Sequence, residues 1–416
     1  PRARMRRLLV SISLLAAAAF HLPTSDARQH GIMRQCTVQM MAKPKGDPRV
    51  WLPKRGSPFA REVDVALQLV SRAAAGVGQP TQVANIAAQA LVCDGLTSEF
   101  AEDTFIACES DASWQSCSAE TQEAALALIN EQGATTPCVN AFEPPYPDAV
   151  KSTQLAAGDL GDLLDKGAAK GLSSRTWLLA PVVDAAQPAV SLTLLEYGRP
   201  VVCAVALPQL PRNAMSEEQL LRMTVSFDGQ SGALPPPSGT ILWAEENIGA
   251  YERSVGGEHG TDVPIRVDRS LIGKRNIADG QVTGVQDFAD LTRCEAKPQP
   301  LAASLGADLG FVKPPLEAGG PFAYGLVARA EAHAYFDLAD TTEQFDSNLW
   351  AHAAGTLLVK EAGGTVTDTA GNPLDFSVST DGALLPHVVG ILATNRDIHP
   401  DVVRQLGLAS MMAAAQ

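Results

Sequence analysis

Alternation is the feature that most constrains how this chain folds. From Thr176 onward it passes through short apolar stretches of strand length and then through blocks with helical periodicity. Thr176 to Val183, Ala189 to Glu196 and Pro200 to Leu207 read as strands, and the turn Tyr197-Gly198-Arg199 joins the last two as a hairpin. Gly239 to Ala244 and Pro264 to Val267 are further expected strands, with Pro235-Pro236-Pro237 in a surface loop. Later, Ala323 to Ala332 reads as helix, Ala334 to Leu338 as strand, and Leu349 to Ala362 as a helix stopped by Gly363-Gly364. Thr365 to Thr367 and Val388 to Ala393 read as strands, and Pro400 to Leu406 as a closing helix. Ahead of all these, Ala60, Val63, Ala66, Leu67, Val70 and Ala74 recur at helical steps. A second helical run covers Val83 to Leu96, and the Pro-rich stretch Thr135 to Ser152 reads as a loop. Strands and helices in alternating blocks, without an internal repeat, predict a layered α/β or α+β architecture.

Charge separates the chain into two parts. Residues 1–58 hold 11 Arg and Lys but only two acids, Asp26 and Asp47, which leaves 21 bases against 44 acids in the rest. A body that acidic repels phosphate backbones, so nucleic acid is not an expected partner. The basic segment has another reading. Arginines around Met5 precede the apolar run Leu8 to Phe20, too short to span a bilayer, and the small residues Ala16 to Ala19 follow the pattern of a secretory signal. The basic, acid-poor stretch beyond it is that of a transit peptide, so residues 1–57 are expected to be a targeting segment. Phe20 after the alanine run resembles the bipartite leaders of complex red plastids, with a plain secreted protein as the alternative. Residues 58–416 are then one domain, with subregions of about 58–245 and 246–416. No stretch of the mature chain is expected to cross a membrane.

Seven cysteines (Cys36, Cys93, Cys108, Cys117, Cys138, Cys203 and Cys294) show no CxxC pair, which argues against a zinc site. Cys108, Cys117 and Cys138 are close enough in sequence to form one disulfide, or else stand as isolated buried thiols.

Three stretches carry a resemblance together. They are Trp177-Leu178-Leu179-Ala180-Pro181-Val182-Val183-Asp184-Ala185; Ala189 to Leu192 through Tyr197-Gly198 to Leu207-Pro208; and Leu349-Trp350-Ala351-His352-Ala353-Ala354-Gly355 through Glu361-Ala362-Gly363-Gly364 to Pro373-Leu374-Asp375-Phe376. The chain resembles the inositol monophosphatase superfamily of lithium-sensitive, magnesium-dependent sugar phosphatases. It is most similar to the 3′(2′),5′-bisphosphate nucleotidase branch, which reads W-x-L-D-P-I-D-G-T and W-D-H-A-A-G…E-A-G-G. Weaker matches extend the likeness from about Phe59 to Leu406. The resemblance implies an αβαβα sandwich and hydrolysis of a phosphomonoester by clustered carboxylates holding Mg²⁺.

The same resemblance implies that those carboxylates are gone. The D-P-I-D-G-T positions fall on Ala180, Val183 and Ala185, or on Ala180 and Asp184 if one residue is inserted. The W-D ligand falls on Ala351, the ligating Glu of G-E-E-S on Cys108, and the Asp of the early helix on Asn85. The Ser, Lys and Arg that grip phosphate in the nucleotidase branch fall near Gly320, Ala323 and Asp337. The expectation is a catalytically degenerate member that needs no metal, acting as a structural or regulatory component in a plastid assembly with a protein partner. One alternative is a Mg-dependent phosphatase using the residual carboxylates Glu109, Asp184 and Asp346. Another is a non-hydrolysing binder of a small anion with Lys313, Arg329 and Lys360 around the cleft, although surface positions are the plainer reading for those three. His352 reads as structural. Gly256-Gly257-Glu258-His259-Gly260 lacks the Lys-Ser/Thr ending of a phosphate loop.

Overall fold

The computed structural model describes residues 57–74, 76, 79–107, 111–134, 150, 154–167, 171–182, 187–211, 239–255, 262–267, 291–295, 300–338, 348–377 and 390–414. The described elements all belong to the compact unit Trp51–Gln416. Two helices lead: α1 (Ala60–Ala74) and α2 (Thr81–Glu99). Strand β1 (Thr104–Ile106) and helices α3 (Asp111–Ser116), α4 (Ala119–Ala134) and α5 (Ala157–Lys166) follow. An antiparallel run comes next: β2 (Arg175–Val182), β3 (Ala189–Glu196), β4 (Arg199–Pro211), β5 (Gly239–Glu245), β6 (Gly249–Ser254) and β7 (Val263–Pro264). The remainder is β8 (Arg293–Glu295), α6 (Pro300–Leu309), β9 (Leu316–Glu317), α7 (Gly320–Ala328), β10 (Ala334–Leu338), α8 (Leu349–Glu361), β11 (Thr365–Asp368), β12 (Gly390–Thr394) and α9 (His399–Ala414).

The strands form two sheets, one in the order β1 to β7 and one in the order β11-β12-β10-β8-β9. Period-two alternation gives the first sheet two apolar faces. Trp177, Leu179, Val190, Leu192, Leu194, Val202 and Ala204 pack against Val65, Leu69 and Val70 of α1 and Val92 of α2. Leu178, Cys203, Val205 and Leu242 point the other way, toward Tyr324 and Val327 of α7 and Ala353, Leu357 and Leu358 of α8. Tyr335, Ile391 and Ala393 of the second sheet close on those same two helices. Beyond that sheet, Phe336, Leu338 and Leu392 meet Leu305 of α6 and Val402 and Leu406 of α9. The result is a stacked αβαβα sandwich, the architecture the alternation and the resemblance lead one to expect.

The hairpin closes as expected: Glu196 pairs with Arg199, with Tyr197 at φ 50° and Gly198 at φ 76°. A Cβ on Gly198 would also lie 2.3 Å from Ser377 Cα, so the turn and the segment ending the Asp375-Phe376 motif lock together. Three expectations change. Helix α7 ends at Ala328, because Ala330 takes φ 60° and turns the chain into β10, so the helix does not reach Ala332. The expected strand Pro264 to Val267 shrinks to Val263–Pro264. The first sheet continues through β6 and β7, past the division at residues 245/246.

Candidate functional site

Of the family-matched metal positions, the described ones are Asn85 in the second turn of α2, Ala180 near the end of β2 and Ala351 in the first turn of α8. Strand β1 runs parallel to β2 with Ile106 opposite Leu178, so the chain leaving β1 at Ala107 passes beside the Ala180 end of β2. The Ala107 N–H donates to Gly167 O at 2.7 Å, and a Cβ on Gly167 would sit 2.8 Å from Gln89 Nε2. Gln89 in turn donates to Leu164 O at 3.2 Å. One turn earlier on α2 is Asn85, so the start of that helix is tied to the end of β1. Helix α8 lies against β2 and β3 and carries Ala351 in its first turn.

What these positions offer chemically is little. Ala180 is 1 % exposed and, by strand alternation, faces the layer of α7 and α8. Its register partner on β3 is Ser191, whose hydroxyl is buried without a hydrogen-bond partner. Asn85 Oδ1 is likewise buried and unpaired. Alanine has no donor atom and Asn85 supplies only a neutral amide oxygen, so the described residues do not fit a Mg²⁺ site, which needs charged oxygen ligands. Among the described residues no group of three or more His, Cys, Asp or Glu side chains is arranged to hold a metal. Cys108, Glu109, Val183, Asp184, Ala185 and Asp346 lie outside the described residues, as does the Gly256 to Gly260 segment.

The phosphate-gripping positions are brought together, but with altered chemistry. The Gly320 N–H donates to Tyr335 Oη at 3.2 Å, and that hydroxyl donates to Asp337 Oδ2 at 2.9 Å. Ala323 is fully buried one turn into α7. Next to it, Tyr324 Oη is 3.1 Å from His352 Nδ1, joining α7 to α8. His352 is 2 % exposed, and burial pushes its pKa down to about 4, so it is neutral near pH 7 and serves packing. Where the nucleotidase motif has a hydroxyl and two cations, this chain places a glycine, an alanine and a carboxylate.

The three bases proposed to surround a cleft do not form one group. Lys360 is exposed and pairs with Glu246 at 3.7 Å, and Lys313 is exposed with its carbonyl accepting from Arg293 Nη1 at 3.3 Å. Arg329, expected at the surface, is instead 4 % exposed. Its Nε pairs with Glu252 at 3.3 Å, its guanidinium contacts Glu331, and Nη1 donates to Pro211 O at 2.9 Å. The turn after α7, including Ala330, folds it inward. The described cysteines behave as packing residues. Burial pushes the thiols of Cys93, Cys203 and Cys294 up to about 12, and Cys117 donates to Ser113 O at 3.2 Å. Cys138, like Cys108, lies outside the described residues. No helix among the described residues is long and apolar enough to cross a membrane.

Sequence reasoning missed Tyr324, Tyr335 and Ser191 as neighbours of the site. Tyr324 and Tyr335 flank the motif positions directly, and a polar tip on an otherwise apolar run was the available signal.

Comparison with known proteins identifies the family. A family model described as "Inositol monophosphatase family" matches residues 182–407. The protein named "Probable 3'(2'),5'-bisphosphate nucleotidase 4" from Arabidopsis thaliana is 30% identical over 268 residues, 62% of this chain and 66% of that one, just under two thirds of its length. A 3'(2'),5'-bisphosphate nucleotidase from Schizosaccharomyces pombe is 27% identical over 331 residues, 78% of this chain and 82% of that one. The solved inositol monophosphatase from Anabaena overlays with a TM-score of 0.46 at 14% identity, covering 84% of this chain and 96% of that one.

Proposed function

Because the chain belongs to the inositol monophosphatase family, we propose that it is a member that no longer hydrolyses phosphomonoesters and acts through binding, as a structural or regulatory component beside a protein partner. The observation that carries this reading is the pair Ala180 and Ala351, at the end of β2 and the start of α8, where the family motif has metal-binding aspartates. A methyl removes both an oxygen ligand and the charge that attracts the cation. Asp337 adds to it, because a carboxylate at a phosphate-gripping position repels the substrate such an enzyme binds. The packing frame is retained: Trp177 and Ala353 are buried, and Gly355 admits the Tyr324 ring. Residues 1–57 direct the protein to a plastid in this reading, and a fluorescent fusion of that segment tests the destination.

A second reading is favoured by the relatives' names. Both proteins compared above are called bisphosphate nucleotidases, and Glu109, Asp184 and Asp346 are the carboxylates such an activity would draw on. One experiment separates the two. Mg²⁺ is titrated calorimetrically into the protein while phosphate release from 3′-phosphoadenosine 5′-phosphate is followed. The first reading expects neither binding heat nor release. Metal-dependent turnover that disappears in Glu109→Ala or Asp184→Ala establishes the second.

A further inference from the structure

Just ahead of α1, Ser57 places its hydroxyl against Glu245, the last residue of β5. Ser57 Oγ is 2.5 Å from both Glu245 carboxylate oxygens, and the Phe59 N–H donates to Oε1 at 3.4 Å. Glu245 has no exposed surface. Among the described residues no cation pairs with it, and the charged groups that act on it, Glu62 of α1 and Glu361 of α8, are both acids. Burial first, then those two acids, raise its pKa above the usual carboxylate range. The start of α1 and the Ser57 hydroxyl offset part of the charge. A buried carboxylate without a counter-charge is nonetheless costly, and one is within reach of the chain itself. Covalent geometry keeps the Ser57 backbone nitrogen about 3 to 4 Å from its own Oγ, hence within roughly 6 Å of the Glu245 oxygens.

We propose that an endopeptidase hydrolyses the peptide bond preceding Ser57 and that the new α-ammonium pairs with Glu245. Water adds across the amide: the released leader keeps the new carboxylate and Ser57 keeps the nitrogen as a primary amine. That amine carries a proton near neutral pH, since a free α-amino group titrates at about 7.7–8.0. The pair ties the start of α1 to β5, so maturation and stabilisation of the domain are one event. The inference rests on reading the segment ahead of the domain as a removable leader, and it moves the end of that leader from residue 57 to residue 56.

The test has two arms. First, the endogenous protein is purified and its N-terminal peptide identified by mass spectrometry, with Ser57 expected as the first residue. Second, the full-length chain carrying a site-specific protease sequence at this junction is melted before and after cutting. Release of the Ser57 amine is expected to raise Tm by about 2 °C, and Glu245→Gln is expected to abolish the gain. Should that variant not fold, a cut leaving one extra residue displaces the ammonium by up to about 3.6 Å and must lose the gain in its place. An endogenous chain that is never processed removes the leader reading and this proposal together. A mature start at another residue leaves the leader reading in place and overturns the proposal, as does a Tm that cutting does not change.

Discussion

The far edge of the first sheet and the strand ends beside α8 treat buried charge in opposite ways. At the edge, Arg253 donates to both Asp262 oxygens at 2.7 Å, and Trp243 Nε1 donates to the same carboxylate at 2.7 Å. Close by in the same sheet, Glu252 of β6 pairs with Arg329 beyond α7. Near the strand ends, Ala180, with Ser191 as its register partner, and Ala351 fall at positions matched to the family's metal-binding carboxylates. Both regions are enclosed by apolar layers, so burial alone does not decide where a charge is kept. The retained charges each have a guanidinium or indole partner from another element. A metal-site carboxylate has no protein counter-charge, so in the proposed non-hydrolysing member a methyl there relieves mutual repulsion.

Substitutions sharpen that contrast, beginning with the largest expected effect. Asp262→Ala strands Arg253 in the interior and removes the Trp243 bond, and is expected to cost about 3–5 kcal/mol in urea unfolding. A loss below 1 kcal/mol would mean that the edge network contributes as little as a surface pair. Next comes acid. His352 titrates at about 4 in the fold against an unfolded value near 6.5, so its contribution is present above pH 6.5 and lost as pH falls toward 4. The loss reaches at most about 3.4 kcal/mol, and His399, also lowered by burial and bonded to Thr367 and Thr394, adds in the same direction. A stability profile flat between pH 7 and 4.5 would contradict the burial of both imidazoles.

Gly355→Ala places a Cβ 2.1 Å from the Tyr324 ring and is expected to cost about 1–3 kcal/mol by overpacking α7 against α8. Thermal melts monitored by tyrosine fluorescence report it directly. The smallest effect is expected from restoring charge to the site. Ala351→Asp puts a carboxylate in the first turn of α8 and should change stability by less than about 1 kcal/mol, in the stabilising direction, with no Mg²⁺ heat in calorimetry. Strong Mg²⁺ binding by that single variant would mean that further ligands are already assembled nearby.

Much of the sandwich was legible because its elements carry their own periodicity. Strands β2, β3, β5 and β10 and helices α1 and α8 fall within a residue or two of their apolar runs. Helices α4, α5 and α6 and strands β6 and β8 went unread. Strand β6 (Gly-Ala-Tyr-Glu-Arg-Ser) looks polar, because Glu252 and Arg253 are hidden by partners distant in sequence. For the site, motif spacing picked out Asn85, Ala180, Ala351, Gly320, Ala323 and Asp337 as the matched positions, since each sits at a fixed offset from an apolar landmark. What each one touches was not readable from spacing.

By itself, then, the sequence determined the elements with a clear apolar period and the family they belong to, and set the expectation that alanines stand at two of its ligand motifs. Those properties are local, written in the order and period of neighbouring residues. Only the tertiary structure decided that Arg329 is folded inward onto Glu252, that the Tyr335 hydroxyl links Gly320 to Asp337, and that Ser57 meets the buried Glu245. Each of the three depends on how layers stack and chains turn between elements, and a side chain's partner there is set by distance in space, which sequence separation does not encode.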